Sequence, residues 1–374
     1  MRKPLKLIAA ALFFGLFLSA CWDMQDIENQ NIVTAVIVDK TETGYALYIE
    51  VAAIGATAQG QEGAQQSPQN IIIRGEGETY ESARKDLENK SNKTLFIGGV
   101  QSLIFTEKVA EESIAEYIFR VRHEPLYRKT LRVFVLKGDP MEVLRSSNEN
   151  NPLIGLAVNE NIMSLYESGY ALDVNVLDIL AGLSCPNKSL VIPTLEMIED
   201  NVGTTGYTVF DNGKAKGFIP AEDAVGLLAL TARKFKTTQT LRLRDVDFTV
   251  ELKRTKKKIK SNREGGGAAF KIEVAFKAFL MYPSRKINVT AEIQSELKAL
   301  LEEKMKESII KEIIRATKTY ETDYLDLYDV FRIKNAPYCR EIDWKEIFPD
   351  IKYEASVKVD MKMNERIEYS QGGS

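Results

Sequence analysis

The chain has 374 residues, 44% of them hydrophobic, with 50 Lys and Arg against 53 Asp and Glu and a formal net charge of −3. That apolar content supports a packed core and excludes a disordered chain, and the charge balance leaves no global basic field to recruit nucleic acid. One histidine, His123, excludes a zinc site with two or three His ligands and any HExxH protease.

The N-terminus reads as a targeting segment. Arg2, Lys3 and Lys6 form a positive n-region, and the uncharged run from Leu7 to Ala20 follows. A spanning helix needs about 20 apolar residues, so this run has the length of a signal-peptide core instead. It ends in Leu18-Ser19-Ala20-Cys21, a lipobox that predicts cleavage before Cys21 and diacylglyceryl modification of its thiol. Each buried acyl CH2 contributes about 0.8 kcal/mol, and two chains anchor stably where one does not. No later stretch reaches spanning length without charge, so the mature chain is expected outside the bilayer. Residues 1–20 are then the signal peptide. At about 150 residues per domain the remainder predicts two or three domains.

Asn31–Asp39 is β-branched and apolar, and Tyr45–Ala53 returns as its hairpin partner. Gly55–Asn70 is rich in Gln, Gly and Ala and reads as a loop. Ile71–Arg74 is a short strand, Thr79–Lys90 a helix, and Leu95–Phe105 a strand interrupted by Gly98-Gly99. A helix over Val109–Val121, a strand over Thr130–Leu136 and helices over Pro140–Ser146, Leu156–Ser168 and Val174–Leu183 follow. Leu190–Ile198 is extended, and Pro193 predicts an edge strand. This order predicts an N-terminal α/β domain over 21–200.

A boundary falls at Asn201–Gly206. Tyr207–Asp211, Asn212-Gly213 and Lys216–Pro220 give a hairpin signal, because Asn-Gly tolerates the positive φ of a type I′ turn. With a helix over Ala221–Ala232 it suggests a small middle domain over 201–240. The C-terminal domain, 241–374, has strands at Phe248–Lys253 and Ala269–Leu280 joined by a charged linker, Arg254–Gly267. The longest helix spans Thr290 to about Thr319. Ile293, Leu297, Leu301, Met305, Ile309 and Ile313 make one apolar face, and Leu300, Ile310 and Ile314 widen it. A helix over Asp323–Lys334 and an alternating strand over Tyr353–Met363 close the chain. The expected fold class is mixed α/β (α+β), a three-domain lipoprotein with mixed sheets and a long C-terminal amphipathic helix packed on a sheet.

No catalytic constellation emerges. His123 lies between a helical and a strand pattern and reads as a surface or hinge residue. Cys185 and Cys339 cannot make a disulfide framework and read as free thiols more readily than as a pair. Gly75-Glu76-Gly77-Glu78 and Gly265-Gly266-Gly267 lack the Lys-Ser/Thr of a P-loop and the third Gly of a dinucleotide fingerprint. Glu111-Glu112 and Glu302-Glu303 are adjacent on helices and point apart. Glu196 and Glu199 read as surface. The run Lys253, Arg254, Lys256, Lys257, Lys258, Lys260 and Arg263 reads as a solvated hairpin tip, or as a contact for anionic headgroups at about 1 kcal/mol per basic residue. The chain is expected to be no enzyme, with no catalytic residues, no cofactor and no metal.

Several motifs carry a family resemblance. Cys21-Trp22-Asp23 follows the lipobox, Asp26-Ile27-Glu28 comes next, and a Val-rich strand closes in Asp39. Thr79–Phe105 gives a helix followed by an apolar strand. The tail has Asp329-Val330-Phe331, Trp344, Phe348-Pro349 and the alternating strand after Tyr353. From Leu18 to Met363 the chain resembles the Ger(x)C family, the lipoprotein C subunits of spore germinant receptors. It departs in having Val36-Ile37-Val38 where the family commonly has a Gly, and Trp344 alone where the tail often has two Trp. The resemblance implies a three-domain, non-catalytic subunit on the outer face of the spore inner membrane. It would be held to the bilayer by lipidated Cys21 and act with a multipass A-type and a transporter-like B-type subunit in a nutrient germinant receptor needed for germination. Only Cys21 transfers as a site. Trp22, Asp23 and Ile27 are either linker or contacts at the membrane interface or partner. The competing reading is a solute-binding lipoprotein of a nutrient importer, which fits the anchor, although the chain lacks the two repeated βαβ lobes usual in that class. A secreted hydrolase has no nucleophile motif to support it.

Overall fold

In this computed structural model, residues 30–52, 70–148 and 151–362 are described. β1 (Gln30–Thr41) and β2 (Gly44–Ala52) form the expected hairpin, and β3 (Asn70–Gly77) pairs antiparallel on the far side of β2. The loop expected over Gly55–Asn70 lies almost wholly outside the described residues. α1 (Tyr80–Lys90) opens on Thr79, whose hydroxyl accepts from the Ser82 N–H while the Ser82 hydroxyl accepts from the Thr79 N–H. This reciprocal cap satisfies two otherwise orphaned donors.

Leu95–Phe105 divides into β4 (Thr94–Phe96), a single 3-10 turn at Ile97–Gly99, and β5 (Ser102–Thr106). The single helix expected over Val109–Val121 is two, α2 (Glu107–Glu112) and α3 (Ala115–His123). Extended Ser113 breaks it, and the N–H of Ile114 turns to the Gly213 carbonyl instead. Next come β6 (Arg132–Leu136), α4 (Pro140–Arg145), α5 (Ile154–Ser168), α6 (Val176–Leu183), β7 (Leu190–Ile198), β8 (Asn201–Asp211) and β9 (Lys214–Pro220).

These strands form one mixed sheet in the order β3-β2-β1-β5-β6-β7-β8-β9, with β4 alongside the start of β1. The middle strands β1, β5, β6 and β7 run parallel, and the flanking hairpins are antiparallel. Alternation along β1 sends Val36 and Val38 to one face, under α1, α2, α3 and α6, and Ile37 to the other, with α4 and α5. β7 is not an edge strand: β6 lies on one side and β8 on the other. Pro193 is tolerated because β6 pairs only with Thr194 and Leu195, so its missing N–H costs no bond to β6. The Asn-Gly hairpin is present, with φ of 49° at Asn212 and 80° at Gly213. Its strands β8 and β9, from the segment set apart as a middle unit, are hydrogen-bonded into this first sheet.

The rest of the chain builds a second sheet. α7 (Val225–Thr231) leads to β10 (Lys236–Leu243), β11 (Val246–Glu264) and β12 (Gly267–Pro283). α8 (Ala291–Ile314), α9 (Leu327–Asn335) and α10 (Trp344–Ile347) follow, and β13 (Lys352–Lys362) adds parallel to β12. The charged linker expected at Arg254–Gly267 is instead two paired strands that continue to Glu264↔Gly267. They close through Gly265 and Gly266, at φ 58° and 82°. Both turn residues need positive φ, which glycine adopts without penalty. β10 lies at the sheet edge. Its mixed polar alternation, Lys236 to Leu243, hides it from a reading based on apolar runs.

α8 lies on the second sheet as expected. Ile293, Leu297, Leu301, Met305, Ile309 and Ile313 share one core with Leu252, Val274 and Phe276. The stripe is narrower than its sequence suggests, because Leu300 and Ile314 are 41% and 43% exposed. The same core takes in Val191, Tyr207, Val209 and Ile219 from the first sheet, so the two units are packed together through β7–β9.

Candidate functional site

Cys21, the one site residue read from the sequence, lies outside the described residues, as do Trp22, Asp23 and Ile27. His123 is exposed at the last position of α3. Cys185 is half-buried, Cys339 is buried, and both are free thiols. Among the described residues no group of three or more His, Cys, Asp or Glu could hold a metal ion. No helix among them is long and apolar enough to cross a membrane.

The tail motif assembles around Trp344. Its ring stacks on Phe331 at 5.5 Å and meets Tyr328, Phe348 and Phe270 at 5.4, 5.9 and 6.4 Å. The indole N–H donates to the buried Asp323 carboxylate at 3.1 Å. That carboxylate also accepts from the N–H groups of Leu327 and Tyr328 at 3.1 and 2.7 Å. The N-cap of α9, Asp326, sits at φ 59° and makes no side-chain cap bond, so Asp323 takes over the capping from outside the helix. Burial pushes the Asp323 carboxyl up to about 7, against the three N–H donors that pull it down. The helix expected from Asp323 therefore starts four residues later, with Asp323 spent on its orphan donors.

The same corner ties the two units. Lys188, just before β7, pairs with Asp326 at 3.0 Å and with Asp329 at 2.8 Å, and the Ser189 N–H donates to the Asp323 carbonyl at 3.0 Å. Lys345 pairs with Asp211 at 2.9 Å, and the Tyr320 hydroxyl donates to the Phe218 carbonyl at 2.9 Å. Asp329 is thus an inter-unit contact, while Phe331 and Trp344 are core.

The basic run divides at the register shift between Arg254 and Lys256, which puts Arg254 and Lys257 on the same side of β11. Half-buried Arg254, and Lys257, which stays exposed along its stem, both reach the C-terminal end of α7. Arg254 donates to the carbonyls of Ala229 at 2.6 Å and Arg233 at 3.0 Å and also reaches that of Ala232. Lys257 donates to Leu230. Cations are favoured there because the last carbonyls of a helix lack internal donors. Burial pulls both groups below their ordinary pKa range. Lys256, Lys258 and Lys260 remain exposed.

Two buried acids were hidden in the sequence. Glu50, on β2, is fully buried. It accepts from the Thr34 hydroxyl at 2.7 Å, the Asn70 amide at 3.1 Å, and the N–H groups of Ile154 and Gly155 at 2.7 and 2.9 Å. It caps α5, whose own N-cap residue is Leu153. Glu312 on α8 is buried against Arg315 at 2.7 Å and the Tyr324 hydroxyl at 2.8 Å, and burial raises its carboxyl. Of the adjacent pair on α8, Glu303 is exposed, while Glu302 is half-buried and accepts from the Val359 N–H at 2.9 Å, docking α8 on β13. Each of Glu50, Glu312 and Glu302 accepts from donors that hold one element of the fold to another.

Comparison with known proteins places these features. The model for the spore germination protein N-terminal domain matches residues 23–197. The model described as spore germination B3/GerAC-like, C-terminal, matches residues 205–365. The chain belongs to the Ger(x)C family of spore germination proteins. Spore germination protein B3 of Bacillus subtilis (strain 168) is 21% identical over 96% of this chain and 98% of that protein. Spore germination protein KC of the same organism is 22% identical over 62% of each chain. The crystal structure of the GerBC protein superposes with a TM-score of 0.56 at 16% identity, covering 87% of this chain and 96% of the other. The last likeness is one of fold. The two Ger(x)C models meet between residues 197 and 205, across the turn from β7 into β8.

Proposed function

We propose that this chain is the non-catalytic lipoprotein subunit of a nutrient germinant receptor and takes part in spore germination. It is held on the outer face of the spore inner membrane by a diacylglyceryl group on Cys21. It assembles there with a multipass A-type and a transporter-like B-type subunit. One observation carries the reading. The lipobox Cys21 lies two residues ahead of the first family model, which begins at residue 23, and the second model continues to residue 365. Cys21 thus stands just ahead of both matched domains, and the likeness to spore germination protein B3 over 96% of this chain and 98% of that protein supports the same role. The non-catalytic reading is supported by the buried acids described above, which serve as caps and pairs. In this reading the mature chain divides at 21–200, 201–240 and 241–374. The middle segment is the connector: its hairpin belongs to the first sheet, and α7 lies in the core of the second unit.

The test is affinity purification of the tagged protein from detergent-solubilised spore membranes, with the co-purifying chains identified by mass spectrometry. A-type and B-type membrane subunits are expected. Recovery of an importer permease, or of no membrane subunit, overturns the proposal in favour of a solute-binding lipoprotein. In parallel, Cys21→Ala should release the protein from the membrane and slow nutrient-triggered germination. An unchanged response to every nutrient tested counts against the anchored receptor role.

A further inference from the structure

The first sheet does not pack solidly against its helices. Between β1 and β2 on one side and α1 and α3 on the other lies a cavity of about 230 Å³. Its floor is Val36, Leu47 and Ile49, Leu87 of α1 closes one side, and Tyr117 and Tyr127 form the end wall. Native interiors leave few voids larger than a water molecule. An engineered apolar cavity of about 150 Å³ stays dry and takes up benzene. A space of this size and lining is therefore suited to a small organic molecule.

The end wall supplies the polar part. Tyr117 and Tyr127 are 2% and 7% exposed, and their hydroxyl oxygens are 3.4 Å apart. Burial raises both phenols, so both keep their protons. Two hydroxyls carry two donors, and at most one of these is used between them. The other proton remains for an acceptor within the cavity. A buried donor without a partner is costly, which favours an occupant that brings an acceptor.

The mouth sets the charge of the guest. Arg84 pairs with Glu81 and Glu88, and Arg120 of α3 pairs with Glu81 of α1. Both cations are thereby matched by acids already present, and Glu124, which also lines this rim, accepts from the Leu126 N–H at 3.4 Å, so the entrance does not call for an anionic ligand. Leu126, 52% exposed at this rim, extends the apolar surface outward.

We infer that this cavity is a binding site for a small, uncharged, largely apolar molecule carrying one hydrogen-bond acceptor, such as an aryl ketone or ether. Mostly apolar walls with one convergent polar group are the usual design of a small-molecule site. The inference does not depend on how the chain is anchored or on what it assembles with.

The test uses the full mature chain and two probes of similar shape, acetophenone and ethylbenzene, of which only the first carries an acceptor. Saturation-transfer NMR and thermal-shift titrations should show both binding, with acetophenone tighter by about tenfold, the worth of one hydrogen bond in a dry site. The double variant Tyr117→Phe, Tyr127→Phe keeps the rings and should bind the two probes equally. Val36→Phe fills the floor and should abolish binding of both. The inference fails if neither probe binds the unaltered chain at millimolar concentration, or if the preference for acetophenone survives the double variant. It fails equally if a folded Val36→Phe protein still binds. Should that variant not fold, the double variant decides alone.

Discussion

The indole N–H of Trp344 donates to Asp323 across 3.1 Å, and the carboxylate it reaches is the one that caps α9. One side chain thus joins the aromatic core of the second unit to the helix that Lys188 clamps from the first. Trp344→Phe keeps most of the ring packing but removes one donor from a buried carboxylate. It should lower unfolding stability by about 1–3 kcal/mol. Trp344→Ala, which also opens a cavity, should cost about 3–5 kcal/mol. Urea unfolding of both variants measures the difference, and an unchanged stability in Trp344→Phe would mean that the hydrogen bond contributes nothing.

Asp323 should also shape the pH dependence. Its carboxyl moves from 3.8 in the unfolded chain to about 7 in the fold, because burial disfavours the charge. A raised pKa means that the folded state holds the proton more tightly. The stabilising contribution is complete below about pH 4 and is lost as pH rises to about 7, with a slope of at most about 1.4 kcal/mol per pH unit. The urea midpoint of Asp323→Asn should be flatter than that of the parent over this window. Parallel curves for the two proteins would refute the assignment.

Glu50 joins β1, β2, the start of β3 and α5 through four hydrogen bonds. Glu50→Ala would strand the N–H groups of Ile154 and Gly155, while the Thr34 hydroxyl and the Asn70 amide keep the backbone carbonyls of Glu50 and Leu144, and should cost about 3–5 kcal/mol. Glu50→Gln retains one acceptor oxygen and should cost about 1–3 kcal/mol. Chemical denaturation gives the ranking, and hydrogen exchange should show early opening at Ile154 and Gly155.

The basic run should respond unevenly to substitution. Arg254→Ala uncovers the last carbonyls of α7 and should cost about 1–3 kcal/mol. Lys258→Ala, on the solvent face, should stay within about 0.5 kcal/mol of the parent. Equal effects from the two would return the whole run to a solvated hairpin.

Gly226 sets the approach of α7 to α8: a Cβ there would stand 2.1 Å from the Ser308 carbonyl oxygen and 2.9 Å from the Glu312 Cβ. Gly226→Ala must therefore push the helices apart and should cost about 1–3 kcal/mol despite alanine's higher helix propensity. A thermal melt at or above that of the parent would contradict this contact.

Local pattern alone located most elements. The β-branched run at Asn31–Asp39, the Asn212-Gly213 turn and the four-residue recurrence from Ile293 to Ile313 are each fixed by nearest-neighbour sterics and by one buried face. The motifs around Phe331 and Trp344, with the segment from Cys21 to Asp39, likewise needed no coordinates to suggest the family that the comparisons show. Tertiary structure decided what depends on partners distant in the chain. Glu50 and Glu312 look like any surface acid until the backbone brings donors to them. Arg254 and Lys257 look like their neighbours until a register shift in β11 aims them both at α7. Pro193 reads as an edge residue until the register shows that pairing with β6 begins only at Thr194. The cavity beside Tyr117 and Tyr127 has no sequence signal at all, because it is defined by where four elements fail to touch. A sequence records the propensity of each segment, whereas burial, hydrogen-bond satisfaction and empty space are properties of pairs of segments that meet only in the fold.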